Sequence, residues 1–118
     1  MGASFKDLIV WQRSVQLSLA IYKLTSSFPE SERFGLTSQL RRASVSVASN
    51  IAEGYGRSSR GEYIQFLGHA RGSICEIQTQ LVIAAALQFG ELSSEKMAED
   101  LTNEVSRMLV ALMSKLKK

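Results

Sequence analysis

The stretch Ser49-Asn50-Ile51-Ala52-Glu53-Gly54-Tyr55-Gly56-Arg57-Ser58-Ser59-Arg60-Gly61-Glu62 is where this chain comes nearest to phosphate chemistry. Gly56 and Gly61 have the spacing of the glycines in a Walker A loop, but Glu62 and Tyr63 stand where that loop needs Lys and Ser or Thr. A carboxylate in place of the phosphate-gripping lysine repels the ligand. Gly54-x-Gly56 opens a dinucleotide fingerprint that would need glycine at position 59, and Ser59 is there. Both motifs also start from a strand, whereas the residues before Gly54 read as helix. Other chemistry is equally hard to assemble. His69 is the only histidine, and Phe66 stands where a Glu-x-x-His metal pair needs its acid. Ser44, Ser46 and Ser49 have no histidine partner on their own helix. The single Cys75 can form neither an internal disulfide nor a zinc site; beside Ile74 and Ile77 it reads as a small buried hydrophobe. We expect no catalytic residue, no metal site and no cofactor.

What remains is arginine. Arg33, Arg41, Arg42, Arg57, Arg60 and Arg71 face only Glu53 and Glu62 in the same span, while the rest of the chain carries eight basic and nine acidic residues. The excess behind the net charge of +3 is therefore local. Planar guanidinium forks suit phosphate and carboxylate better than ammonium groups do. Arg57 and Arg60 lie beside a helix N-terminus, whose free N–H groups also attract anions, and lead the candidates for nucleic-acid contact. Arg33 and Arg41 complete that set; the plainer reading is a solvated helix face with a few ion pairs. A second constellation is a polar shoulder. Arg42, Ser46, Ser49, Asn50 and Glu53 share one side of the second helix; His69, Ser73, Glu76 and Gln80 share one side of the third. Pressed together they form an interhelical hydrogen-bond network that fixes register, with Glu53 or Glu76 pairing to Arg42 and Arg71. A small ligand or anion held there is the alternative.

The elements that position these groups are helices. At 100° per residue, Leu8, Trp11, Val15, Leu19 and Tyr22 fall on one arc between Asp7 and Ser26. Leu36, Leu40, Ala43, Val47 and Ile51 do so between about Arg33 and Glu53. Tyr63, Phe66, Leu67, Ala70, Ile74, Ile77, Leu81 and Ala84 stripe the span from Ser59 to Phe89. Met97, Leu101, Val105, Met108, Leu112 and Leu116 stripe the span from Ser93 onward. No segment sustains a period of two. Pro29 suits the first turn of the second helix. Gly54 suits the left-handed position after its end. Ser59 with Glu62 forms a capping box, and Ser93 caps the fourth helix inside a Leu92–Met97 staple. Gly68 and Gly72 allow a close helix approach. Short connections make this an all-α, up-down-up-down antiparallel four-helix bundle.

The first helix carries a second apolar stripe, Val10, Leu17, Ile21 and Leu24, opposite the Trp11–Leu19 face. A bundle helix needs one buried face, so this one is assigned to an oligomer interface. The chain of 118 residues, 45% hydrophobic, fits one domain. It opens with no basic, apolar leader, and its longest apolar run, Leu81 to Leu87, is too short for a membrane span, so the expected address is the cytoplasm.

Phe5 to about Leu87 resembles the four-helix-bundle proteins encoded within intervening sequences of bacterial 23S ribosomal RNA genes. The most specific pieces are Ser49-Asn50-Ile51-Ala52-Glu53-Gly54 and Gly72-Ser73-x-x-Glu76. The resemblance implies a bundle assembled into a homopentameric ring, which would cover the second stripe. Two functions stay open. One is a non-enzymatic module associated with RNA or a ribonucleoprotein, although no aromatic platform for stacking bases is evident. The other is a structural or adaptor oligomer that binds a protein, by analogy with a bundle that accompanies a reverse transcriptase.

Overall fold

A computed structural model describes residues 3–118. Four helices carry the chain: α1 (Ile9–Thr25), α2 (Leu36–Tyr55), α3 (Arg60–Ala86) and α4 (Leu92–Leu116). Short 3-10 turns at Phe5–Asp7 and Glu30–Glu32 precede α1 and α2, and there is no strand among the described residues. Each helix packs against the next, and α4 closes back on α1 to form a four-helix bundle. The contacts come in ordered pairs. Ser18 meets Ser44, and Thr25 meets Arg41; Ser46 meets Ser73, and Gln39 meets Gln80. All four helices feed one cluster of buried side chains.

Helix α1 corrects the interface assignment. Val10, Leu17, Ile21 and Leu24 are its core face, with Leu17 and Ile21 wholly excluded from solvent within a single subunit. The stripe taken as inward, Leu8–Trp11–Val15–Leu19–Tyr22, is only half-buried at its start, where Leu8 and Trp11 pack on the core edge, and runs out to the surface, with Leu19 65% exposed. Periodicity reports two opposed stripes without saying which is inside, and hydroxyls disguised the right one. Ser14 and Thr25 share the buried face, but their hydroxyls donate to the carbonyls of Val10 (2.7 Å) and Ile21 (2.8 Å). A hydroxyl satisfied one turn back can be buried at little cost.

Several boundaries shift for local reasons. Ser4 and Asp7 cap the first 3-10 turn reciprocally, so α1 starts only at Ile9. Pro29 opens a separate 3-10 turn, and α2 begins at Leu36, whose N–H donates to Glu32 Oε1 at 3.0 Å. A Cβ on Gly35 would sit 2.7 Å from that carboxylate oxygen, so a larger residue there would have to push the Glu32 side chain off its bond to Leu36. Ser59 caps α3 as expected by accepting from the Glu62 N–H at 3.1 Å; the Glu62 carboxylate accepts from the Ser59 hydroxyl, not from its backbone. Helix α3 ends at Ala86 in a Schellman motif, with Gln88 N–H donating to Ala85 O and Phe89 N–H to Ala84 O. Gln88 takes the left-handed conformation there (φ 61°). Ser93 is not a cap: α4 starts at Leu92 after Glu91, and Leu92 and Met97 are both exposed. The α4 core face is rotated accordingly onto Ser94, Ala98, Thr102, Val105 and Leu109.

Gly54 lies inside α2 and does not have a positive φ. A Cβ on it would lie 2.8 Å from Phe66 Cβ and 3.1 Å from Tyr63 Cδ1, so it marks the close approach of α2 to α3. Gly68 and Gly72 do not serve that purpose, since nothing lies within 4 Å of a Gly72 Cβ and only Met113 Cε, at 3.9 Å, near a Gly68 Cβ. We expect Gly54→Ala to destabilise the protein by about 1–2 kcal/mol: overpacking costs about 1–3 kcal/mol, and alanine's better helix propensity returns part of it. Urea denaturation measures this. An unchanged or higher midpoint would contradict the close approach.

Candidate functional site

Five of the six arginines from Arg33 to Arg71 separate into two groups toward opposite ends of α2, which at 20 residues is about 30 Å long, and Arg71 stands apart on α3. At the glycine corner Arg57 is already engaged. Its Nη2 lies 3.0 Å from Glu53 Oε2, and its guanidinium sits 4.6 Å from the centre of the Phe66 ring. Arg60 is exposed, with Nη1 3.3 Å from the backbone oxygen of Lys118. Tyr55 and Tyr63 meet edge to face beside them at 6.0 Å. Burial, reinforced by Tyr55, pushes the Tyr63 phenol above its ordinary value, so it stays neutral. The leading pair of sequence candidates thus includes one arginine whose charge is matched.

At the other end three arginines converge. Arg33, Arg41 and Arg42 line one open groove of about 510 Å³ with Tyr22, Phe34, Thr37, Ser38 and Val45, and no carboxylate lines it. Arg41 is held by a 2.9 Å bond from Nε to Thr25 Oγ1, and its guanidinium lies 4.6 Å from the Tyr22 ring centre. Arg33 lies 5.3 Å from the Phe34 ring centre, with Nη1 3.8 Å from Glu30 Oε2 in an adjoining hollow. Arg42 has no acidic partner within 4.0 Å among the described residues. Arg33 and Arg41 are therefore brought together, and Arg57 and Arg60 are not part of that site. The sequence reading missed the aromatics. Phe34 is 86% exposed, and Tyr22 was counted as part of an inward stripe. The available signal was Arg33-Phe34-Gly35 immediately before a helix start.

The family model for the 23S rRNA-intervening sequence protein matches residues 6–111. The chain belongs to that family. No curated protein matches it. Among solved structures, a protein of unknown function from the S23 ribosomal protein family of Bacteroides thetaiotaomicron superposes with a TM-score of 0.79. It is 20% identical, with 89% of this chain and 98% of that one covered, a likeness that supports the fold.

In this 23S rRNA-intervening sequence family member, the pieces of sequence that carried the resemblance sit at the α2–α3 contact. Ser73 Oγ donates to Ser46 Oγ at 3.0 Å, and Asn50 Nδ2 donates to Ser46 O at 2.9 Å and to Ser46 Oγ at 3.0 Å. Gly54 lies two turns beyond Val47 on the same helix, against Phe66. A groove of about 310 Å³, lined by Gln39, Arg42, Ala43, Ser46, Ser73 and Glu76, runs over this network. The expected ion pairs are absent among the described residues: Glu53 is bound to Arg57, and neither Arg42, Arg71 nor Glu76 has a charged partner within 4.0 Å. Arg71 is exposed, and Ser49 turns away into an apolar groove with Trp11, Val15, Leu19, Val45, Ala48 and Ala52. Cys75 is exposed rather than buried, because the α3 core face passes through Ile74 and Ile77 and leaves it outside. His69 is also exposed, edge-on to Phe66. Among the described residues no three His, Cys, Asp or Glu side chains group to hold a metal ion, and no helix is long and apolar enough to cross a membrane.

Proposed function

We propose that the chain is a non-enzymatic oligomeric bundle that associates with RNA or a ribonucleoprotein through the groove of Arg33, Arg41 and Arg42. The observation that carries this reading is the convergence of three guanidinium groups on a groove with no carboxylate in its lining. Family membership supports it by tying the chain to ribosomal RNA genes. Arg33, Arg41 and Arg42 replace Arg57 and Arg60 as the leading contacts, since Glu53 holds Arg57 at 3.0 Å whereas Glu30 lies 3.8 Å from Arg33 and neither Arg41 nor Arg42 has an acidic partner within 4.0 Å among the described residues.

The same reading takes the helices as an up-down-up-down bundle in the cytoplasm. Pairings whose numbers rise along one helix and fall along the next support that topology. It also takes several subunits to close into a ring, the homopentamer implied by resemblance. Support comes from two different apolar faces. One is the α1–α2 groove of about 320 Å³ under Leu19 and Val45; the other is the exposed set of Val82 and Ile83 on α3, Leu87 just past its end and Met97 on α4. Two unlike faces that meet head to tail generate a ring when the rotation between subunits closes. A ring repeats the arginine groove and gains affinity by avidity. The α1–α2 groove equally fits a second reading, in which an apolar helix of a protein partner docks there and the bundle serves as an adaptor.

Binding of a labelled oligoribonucleotide at several salt concentrations tests the groove. Each neutralised phosphate contributes about −0.7 to −0.9 to the log–log slope. Replacing Arg33 and Arg42 together with glutamine should weaken binding and make the slope shallower by about 1.5 for each engaged subunit. Replacing Arg57 and Arg60 should change it far less. An unaltered slope in the Arg33/Arg42 variant moves the contact elsewhere, and no binding to RNA at about 50 mM salt favours the adaptor.

A further inference from the structure

We propose that the ligand of this groove is single-stranded RNA, recognised by an unpaired base stacked on Phe34. The inference rests on the polyanion reading above and narrows its substrate class. Phe34 is 86% exposed, the most exposed large apolar side chain among the described residues. It does not hang on a loose loop. The turn around it is hydrogen-bonded from Arg33 N–H to Glu30 O at 3.0 Å and from Gly35 N–H to Glu32 O at 2.9 Å, and the Glu32 carboxylate ties it to the start of α2. An aromatic ring presented this way, beside a groove of positive charge, offers a flat face to another π-system.

The charged groups around it fit a nucleotide strand better than a protein helix. Arg33 lies over one face of the Phe34 ring and Arg41 over the Tyr22 ring, so a base would stack on the opposite, solvent-exposed face of Phe34. Stacking leaves a guanidinium's in-plane N–H groups available, so beyond the Arg41 Nε bond to Thr25 and the Arg33 Nη1 contact with Glu30 each fork has further donors for phosphate oxygens. Thr37 and Ser38 line the groove one helical turn before Arg41 and Arg42 and bring hydroxyl groups that can bond a phosphate or a 2′-hydroxyl. At about 510 Å³ the groove is the size of a site for a small organic molecule, so each subunit takes only a nucleotide or two. A duplex cannot use this platform, because its base faces are covered by neighbouring pairs and its deep major groove excludes side chains. Stacking on aromatic side chains is sequence-tolerant, so the preference is for strandedness and not for sequence.

The test uses the protein as it assembles in solution with a fluorescein-labelled oligoribonucleotide of about 12 nucleotides, within the range of single-strand sites. An RNA duplex with the same number of phosphates is the comparison, and a 2-aminopurine base in the single strand reports stacking directly. The wild-type protein should bind the single strand more tightly than the duplex and quench the 2-aminopurine. Phe34→Ala should lower single-strand affinity between about fivefold and a hundredfold, to the level of the duplex. It should also abolish the quench and leave the salt slope unchanged. Phe34→Trp should retain both affinity and quench. Equal binding of duplex and single strand, with Phe34→Ala silent and a steep salt slope, overturns the stacking proposal and leaves the polyanion reading intact. Failure of every RNA to bind overturns both. Dissociation of the oligomer by Phe34→Ala makes Phe34 a subunit contact and also overturns the proposal.

Discussion

Leu17→Glu is expected to unfold the subunit, while Leu19→Glu, two residues along the same helix, leaves it folded and breaks only the proposed assembly. Leu17 is fully buried among core side chains from all four helices, and Leu19 is 65% exposed beside the α1–α2 groove. Removing a buried leucine side chain alone costs about 2–5 kcal/mol. Placing an unpaired carboxylate in the same space adds a desolvation cost, against a total stability of about 5–15 kcal/mol for a domain of ordinary size. Circular dichroism should therefore show Leu17→Glu losing most of its helix signal at 25 °C, or melting far below the wild type. Leu19→Glu should keep the wild-type spectrum and shift to monomer mass in light scattering. A folded, monomeric Leu17→Glu would return the Val10–Leu17–Ile21–Leu24 stripe to the outside.

Gly90→Ala should be the most damaging single-atom-scale change on the surface connections. Gly90 sits at φ 85°, and a Cβ there would lie 2.5 Å from Leu24 Cδ1 and 3.0 Å from Phe28 Cε1. The left-handed backbone costs a non-glycine residue about 1–2 kcal/mol, and forcing a methyl group against packed side chains about 1–3 kcal/mol more. The sum lowers the melting temperature by on the order of 10 °C for a domain of this size. The damage falls at the end of the bundle that carries the arginine groove, where Phe28 also packs at a tilt against Phe89, ring centres 5.6 Å apart. A Gly90→Ala protein melting within a degree or two of wild type would mean that the α3–α4 connection is not packed as described.

The helices were legible because each repeats apolar residues at helical spacing and because Ser59 is a strong cap. Their inner faces were legible where one stripe was apolar, as on α2, and illegible on α1, where both were. The core stripe there contains Ser14 and Thr25, whose polarity is cancelled by bonds to their own helix, a cancellation that composition does not register. Gly54 was read as a glycine needing unusual φ; its requirement is for space against Phe66, which only the α2–α3 packing reveals. Gly90, which does need positive φ, lies in a short connection where the sequence pattern read continued helix up to Phe89. Among the charges, the i,i+4 spacing of Glu53 and Arg57 already allowed them to pair. The groove was not readable in advance. It joins Tyr22 from α1 to Arg41 from α2 and sets Phe34 beside them, a juxtaposition made by the packing of two helices and the turn between them.

Ultraviolet photocrosslinking of the protein to a single-stranded oligoribonucleotide, followed by mass spectrometric mapping of the adducts, tests the placement of the proposed nucleic-acid contact most directly. The arginine groove should yield adducts on the peptides that carry Tyr22 and Phe34, lost when Arg33 and Arg42 are both replaced by glutamine. Adducts confined to the glycine corner, on Tyr55 or Tyr63 beside Arg57 and Arg60, would contradict it.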